Sequence, residues 1–343
     1  MKRLTAILCL TIAVLLGSAG VSWGADLQKG LAAYKSGDYA TALREWKPFA
    51  EQGNASAQSN LGYMYQTGKG VTQDYKTAIK WYRLAAKQGH VGAQSTLGWM
   101  YSSGIGVARD YKTAVKWYRL AAKQGHAGAQ NNLGLRYHQG QGVKQDPKTA
   151  LKWWKLAAQQ GDADAQTSLG TMYATGNIVP QDYKIAFKWW KLSAEQGYAI
   201  SQKNLGFLYE RGLGVPQDYK TAVKWYTLAA KQGHADVQTS LGRMYAMGHG
   251  VSQDYKTAVK WYRLAAEQGY VHAQYILGLM YVKGQGVTQD KVYAYMWWNV
   301  AASSGHKDAI YNRDTVKKQM TSANISAAKK LARECVRRKY KGC

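Results

Sequence analysis

Four of the seven histidines, His90, His126, His234 and His306, fall at one position of a repeating pattern, and histidine is the first residue to test for metal or acid–base chemistry. The pattern argues against both. Other copies carry Asp162, Tyr198 or Tyr270 there, and ligands on successive repeats would stand about one helix pair apart, too far to share an ion. The carboxylates are just as periodic: Asp38, Asp74, Asp110, Asp146, Asp182, Asp218, Asp254 and Asp290. Each precedes a helical stretch, where a carboxylate accepts from free amides at the positive end of the helix dipole. Capping accounts for them without catalysis. The sequence shows no Ser/His/Asp or Cys/His set, no paired acids and no phosphate loop. The Gly-x-Gly pairs lie between two helical patterns, so they are turns and not nucleotide fingerprints. The expectation is a protein that is not an enzyme, with no catalytic, cofactor-binding or metal-ligating residues and no cofactor.

The elements behind these periodic residues follow from a Leu-Gly pair that recurs every 36 residues, at Leu61, Leu97, Leu133, Leu169, Leu205, Leu241 and Leu277. A fixed period of that length marks stacked supersecondary units. Within one unit, Ala93, Leu97, Met100 and Tyr101 form the apolar stripe of a first helix, and Gly104 suits its left-handed cap. A Gly-x-Gly-Val turn then leads to Asp110, the N-cap of a second helix. There Ala114, Trp117, Ala121 and Ala122 are expected to be buried, small residues interlocking with a large aromatic. The tryptophan register continues at Trp81, Trp153, Trp189, Trp225, Trp261 and Trp297. Pro147 takes a first helical position, where its missing amide costs nothing, and Ile178 replaces the second glycine of one turn.

The string AQxxLGxxYxxGxGVxxDYxxAxxWYxxAAxQG resembles the Sel1-like repeat, a relative of the tetratricopeptide repeat with a longer turn, in seven copies over about residues 54–305. The resemblance implies an all-α fold, an α-solenoid of stacked helix-turn-helix units winding as an α/α superhelix, that binds other macromolecules.

The ends depart from the period. In residues 1–24, Lys2 and Arg3 precede an apolar run from Leu4 to Leu16, with Ser22 and Gly24 before Ala25. That reads as a cleaved secretory signal, too short to span a membrane as an ordinary helix. A periplasmic or secreted protein is expected, monomeric, with no membrane-length apolar run in the mature chain. Residues 25–53 form a shortened unit, an N-terminal cap. Residues 306–343 are expected to form two capping helices, the second with Ile325, Ala328, Leu331 and Ala332 inward. Cys335 and Cys343 remain in the mature chain, and an exported protein favours their pairing. A bridge within the chain requires the last helix to end near Arg338 or Lys339, with Gly342 suited to the reversal; a bond between chains is the alternative.

Two surfaces stand out. Lysines recur on the second helices at Lys76 and Lys80, Lys112 and Lys116, Lys148 and Lys152, Lys184 and Lys188, Lys220 and Lys224, Lys256 and Lys260. Like charges four apart destabilise a helix by roughly 0.2–0.5 kcal/mol per pair. Loss of Lys2 and Arg3 takes the formal charge from +26 to about +24. The ladder reads either as a solvated face multiplied by copying or as a contact for an acidic protein, an anionic envelope polymer or lipid headgroups. Nucleic acid is not the expected partner of an exported chain. The first helices vary from unit to unit at positions i, i+4 and i+7. By resemblance to tetratricopeptide solenoids these line a concave peptide groove, with Tyr63, Trp99, His138, Phe207, Arg243 and Tyr275 as candidates, unless the next hairpin shields them. The functional expectation is an exported scaffold for a protein or peptide partner. A charge-binding envelope protein or a cell-wall hydrolase on the same scaffold are the alternatives.

Overall fold

The computed structural model describes residues 21–343; the apolar run of the expected signal lies outside the described residues. Eighteen α-helices and no strand occur among the described residues. The described residues divide into two compact units, 21–129 and 130–343. The first contains the hairpins α1 (Val21–Ser36) with α2 (Tyr39–Glu51), α3 (Ala55–Thr67) with α4 (Tyr75–Lys87), and α5 (Val91–Ser103) with α6 (Tyr111–Lys123). The second opens within α7 (Ala127–Gln139) and continues with α8 (Pro147–Gln159), then α9 (Ala163–Thr175) with α10 (Tyr183–Glu195), and α11 (Ala199–Arg211) with α12 (Tyr219–Lys231). It ends with α13 (Ala235–Met247) and α14 (Tyr255–Ala266), α15 (Val271–Lys283) and α16 (Lys291–Ser303), then α17 (Lys307–Lys317) and α18 (Ser322–Arg337).

Local chemistry sets these boundaries. Every predicted aspartate caps a second helix; Asp110 accepts from the Thr113 amide at 3.1 Å and from the Thr113 hydroxyl at 2.6 Å. Those bonds hold its carboxyl below the usual carboxylate range. Pro147 is the first helical residue after Asp146, as read. Gly104 closes α5 in the left-handed conformation, φ 74°. The second turn glycine allows a close approach: a Cβ on Gly250 would stand 2.3 Å from the Tyr219 carbonyl carbon.

The first-helix stripe is buried as expected, with Ala93, Leu97 and Met100 fully enclosed. On the second helix the expectation needs correction. Trp117 is half-buried, and the enclosed ring belongs to its neighbour, Tyr118. The same holds at Tyr82, Trp154, Trp190, Tyr226 and Tyr262, whereas Trp297 and Trp298 are both buried. The reason is the glycine of the Leu-Gly pair. A Cβ on Gly98 would lie 2.5 Å from the Tyr118 ring, and one on Gly170 would lie 2.4 Å from Trp190. The bare backbone is the seat for the ring. The register tryptophans do other work: Trp81 packs on the core of α2 and α3, Trp189 on that of α8 and α9, and Trp225 on that of α10 and α11.

A buried glutamine adds direction to this packing. Gln166 donates to the Ala158 carbonyl at 3.1 Å and accepts from Gln196 at 2.9 Å, while Gln196 also donates to the Gly161 carbonyl. One amide thus ties α9 to both α8 and α10. In the first unit Gln58 does the same with Ala50 and Gln88.

Three of the four repeat histidines, His90, His126 and His306, cap helices with their side chains, whereas His234 makes no side-chain capping bond. His90 Nδ1 accepts from the Ala93 amide at 3.1 Å and His126 Nδ1 from Ala129 at 3.1 Å, as Asn54 accepts from Ala57 and Asp162 from Ala165. An accepting Nδ1 requires a neutral ring with its proton on Nε2. Burial lowers the pKa of His90 and His126 from the ordinary 6.5. The unfolded chain therefore takes up protons below pH 6.5 that the folded state resists, so stability is full above that pH and falls as pH drops. Asp162, raised by burial to about 6, has the opposite sign and loses stability as pH rises through that range. Replacing both histidines with Asn should flatten the acid side of a plot of thermal midpoint against pH. An acid limb equal to that of the unsubstituted protein would show that other groups carry it.

At the C-terminus α18 ends at Arg337, and Cys335 and Cys343 are joined, their Cα atoms 5.5 Å apart. Within α18 Ala328, Ala332 and Cys335 are buried; Ile325 and Leu331 are half-buried. The reversal does not wait for Gly342. It is made by Lys339 and Tyr340, at φ 52° and 67°, with Gly342 at 67° completing it. The loop touches earlier chain: Tyr340 lies against Gly269, and the Gly342 amide donates to Glu267 at 3.3 Å.

Candidate functional site

The three variable positions of the first helices have three different surroundings. Position i supplies a backbone acceptor. Where the enclosed ring is tryptophan, its indole N–H donates to that carbonyl: Trp154 to Asn131 at 3.2 Å, Trp190 to Thr167 at 3.2 Å, Trp298 to Tyr275 at 3.1 Å. Position i+7 answers the same ring with its side chain. Where the ring is tyrosine, the hydroxyl meets a polar group: Tyr82 donates to Gln66 at 2.8 Å, Tyr118 pairs with Ser102 at 3.3 Å, and Tyr226 donates to Glu210 at 2.8 Å. Where the ring is tryptophan, the residue is flat or apolar: His138, Ala174 or Val282. His138 lies tilted against Trp154, ring centroids 5.3 Å apart and planes at 49°. Ala246 opposite Tyr262 departs from the rule. Much of the variation on this face is thus matching between a side chain and the ring beneath it.

Position i+4 is the outward one. In the first unit Trp99 is 40% exposed, while Tyr63 lies edge-on to Tyr34, centroids 6.0 Å apart. In the second unit Phe207 is 42% exposed, with the Arg211 guanidinium 6.0 Å from its ring centroid. Arg243 is engaged with Glu210 at 2.6 Å. Tyr275 stacks on His306 at 4.6 Å, and His272 completes that stack. Of the six groove candidates, Trp99 and Phe207 present open apolar rings; the other four are held by neighbours.

Glu210 is the residue that sequence reading treated only as one variable position. The residue is 5% exposed, on α11; Tyr226 of α12 and Arg243 of α13 both donate to it. Burial and the Glu210 carboxylate raise the Tyr226 pKa. The covariation of polar residues with tyrosine and of apolar or flat ones with tryptophan was the available signal.

All twelve ladder lysines are exposed. Among the described residues no group of three or more histidines, cysteines and acids could hold a metal ion, and no helix is long and apolar enough to cross a membrane.

The repeat matches a family model, the Sel1 repeat, at residues 55–90, 91–126, 127–162, 163–198, 199–234, 235–270 and 271–306. Among solved structures, the chain is similar to a protective antigen present in uropathogenic Escherichia coli strains that displays an SLR fold, at 31% identity and TM-score 0.60, over 92% of this chain and 77% of that one. It is also similar to a Sel1 repeat protein from Oxalobacter formigenes, at 33% identity and TM-score 0.64, over 70% of this chain and 96% of that one. No curated protein matches the chain. With seven matched copies filling most of the sequence, and the helix pairs that the repeat demands in place, the chain belongs to the Sel1 repeat family.

Proposed function

We propose that this protein is an exported scaffold whose first-helix face binds a protein or peptide partner, with Phe207 as the anchor in the second unit and Trp99 as that in the first. Sel1 repeats are generally protein-interaction scaffolds. The observation that carries the reading is the exposure of Phe207 at 42% on a face where neighbouring variable side chains are engaged. A large aromatic left open beside held polar groups is the composition of an interface anchor. The joined cysteines favour an oxidising compartment. Binding is favoured over hydrolysis because the buried titratable groups hold helices together: Glu210 joins three of them and Asp162 caps one.

A displayed peptide library selected on the purified protein provides a probe. Phe207→Ala should lower the affinity of an enriched peptide by about 2 kcal/mol, near thirtyfold, with the thermal midpoint little changed; Trp99→Ala does the same for peptides seated on the first unit. Selection that enriches nothing, or unchanged affinity with a depressed midpoint in both variants, would rule this surface out.

A further inference from the structure

Six second helices leave a leucine half in water at one register position: Leu84 and Leu120 in the first unit, and Leu156, Leu192, Leu228 and Leu264 in the second, each 45–46% exposed. One such leucine needs no explanation. The same leucine at the same exposure in six consecutive copies, always in the same company, does; only the last copy, with buried Val300 there, departs. In the second unit it ends a strip at i, i+4 and i+8 whose first two members are exposed lysines, such as Lys220, Lys224 and Leu228. Among the described residues the acids on these helices make no close ion pair with the strip lysines, although the caps Asp146, Asp218 and Asp254 act on Lys152, Lys224 and Lys260 at longer range. Asp182, Asp218 and Asp254 cap the helix starts, Glu195 pairs with Lys191 at 3.9 Å, and Glu267 accepts from Gly342.

We propose that this second-helix face docks on an anionic lipid surface, the lysines meeting headgroup charge and the leucines entering the boundary between headgroups and acyl chains. Charge complementarity selects an anionic occupant, and the leucines select an amphiphilic one. A soluble polyanion would use the lysines and have no use for leucine. Uniformity decides between a bilayer and a folded acidic protein. The strip repeats hairpin after hairpin with almost no variation, so it gives no address by which a shaped partner could fix its register. A fluid array of headgroups needs none. The first-helix face, where residues differ from unit to unit, is the one suited to recognising a particular partner.

Flotation of the purified protein with phosphatidylglycerol-containing vesicles, against vesicles of phosphatidylcholine alone and against soluble polyphosphate, tests this. The expected result is partition into the anionic vesicles, falling with salt, and not into the neutral ones. Changing Leu156, Leu192, Leu228 and Leu264 together to Gln should lower that partition about tenfold or more while leaving polyphosphate binding as it was. Leu228→Gln alone should give a smaller loss in the same direction, which covers a quadruple variant that fails to fold. Changing Lys148, Lys184, Lys220 and Lys256 to Gln should weaken both interactions. Phe207→Ala should leave vesicle binding unchanged, so the two faces fail or succeed separately. Equal binding to neutral and anionic vesicles, or anionic binding indifferent to the leucine changes, overturns the proposal.

Discussion

Gly170→Ala should destabilise the second unit by about 1–2 kcal/mol, although the same change in most helix interiors stabilises. Alanine gains about 1 kcal/mol over glycine in helix propensity. Against that, the new methyl would stand 2.4 Å from both Cδ1 and Nε1 of Trp190. Relieving such overpacking typically costs about 1–3 kcal/mol, occasionally more. The ring cannot easily yield, because its indole N–H is committed to the Thr167 carbonyl at 3.2 Å and Trp190 is 5% exposed. Gly170→Val adds a branch in the same place and should cost about 3 kcal/mol or more. Urea unfolding of the single variants and of Gly170→Ala combined with Trp190→Leu measures the coupling, expected at about 1 kcal/mol or more. An alanine variant more stable than the unsubstituted protein would mean that the ring is not seated on that glycine.

Glu210→Leu should cost about 3 kcal/mol and Glu210→Gln about 1. Leucine leaves the buried Tyr226 hydroxyl without its acceptor, worth about 1–3 kcal/mol. It also breaks the contact with Arg243, whose side chain is 35% exposed and can turn to water, so the charge loses less than a fully buried one would. Glutamine keeps one oxygen for the tyrosine, as Gln66 does for Tyr82. Adding Tyr226→Phe to Glu210→Leu should recover part of the loss by removing the stranded hydroxyl. Equal losses for Leu and Gln would show that the carboxylate's charge toward Arg243, not the acceptor it offers Tyr226, matters at this position.

The period, the two helices per unit, the aspartate caps and the Leu97 stripe were legible because they depend on spacing and on local chemistry. The choice between Trp117 and Tyr118 was not. Adjacent residues on a helix point about 100° apart, and an apolar stripe is wide enough to admit either; only the distance to Gly98 decides. Gln94 reads as surface by type. Its one hint is recurrence, unaltered, from Gln58 to Gln274, where other polar positions drift. The cap role of His90 was hidden because histidine is not a usual cap; Asn54 and Asp162 at the same position were the clue. The groove was legible as variation and not as exposure. Position i+7 varies because it must suit the ring under it, and two rings, tyrosine and tryptophan, alternate irregularly along the chain.

The glutamine contacts fix an order of events. Gln166 reaches back eight residues to Ala158, and Gln196 reaches back 30 to Gln166 and 35 to Gly161. Each bond therefore closes within about one repeat of chain. A polypeptide emerging amino end first, from a ribosome or a translocation channel, can settle each new hairpin on the one before as soon as it clears the exit. The length still waiting to fold stays near one repeat however many repeats the gene encodes, which keeps contact order low and limits the unpaired apolar surface shown at any moment. The tail is the exception. Gly342 meets Glu267 across 75 residues, so this clasp must wait for about two repeats of chain to emerge before it can close.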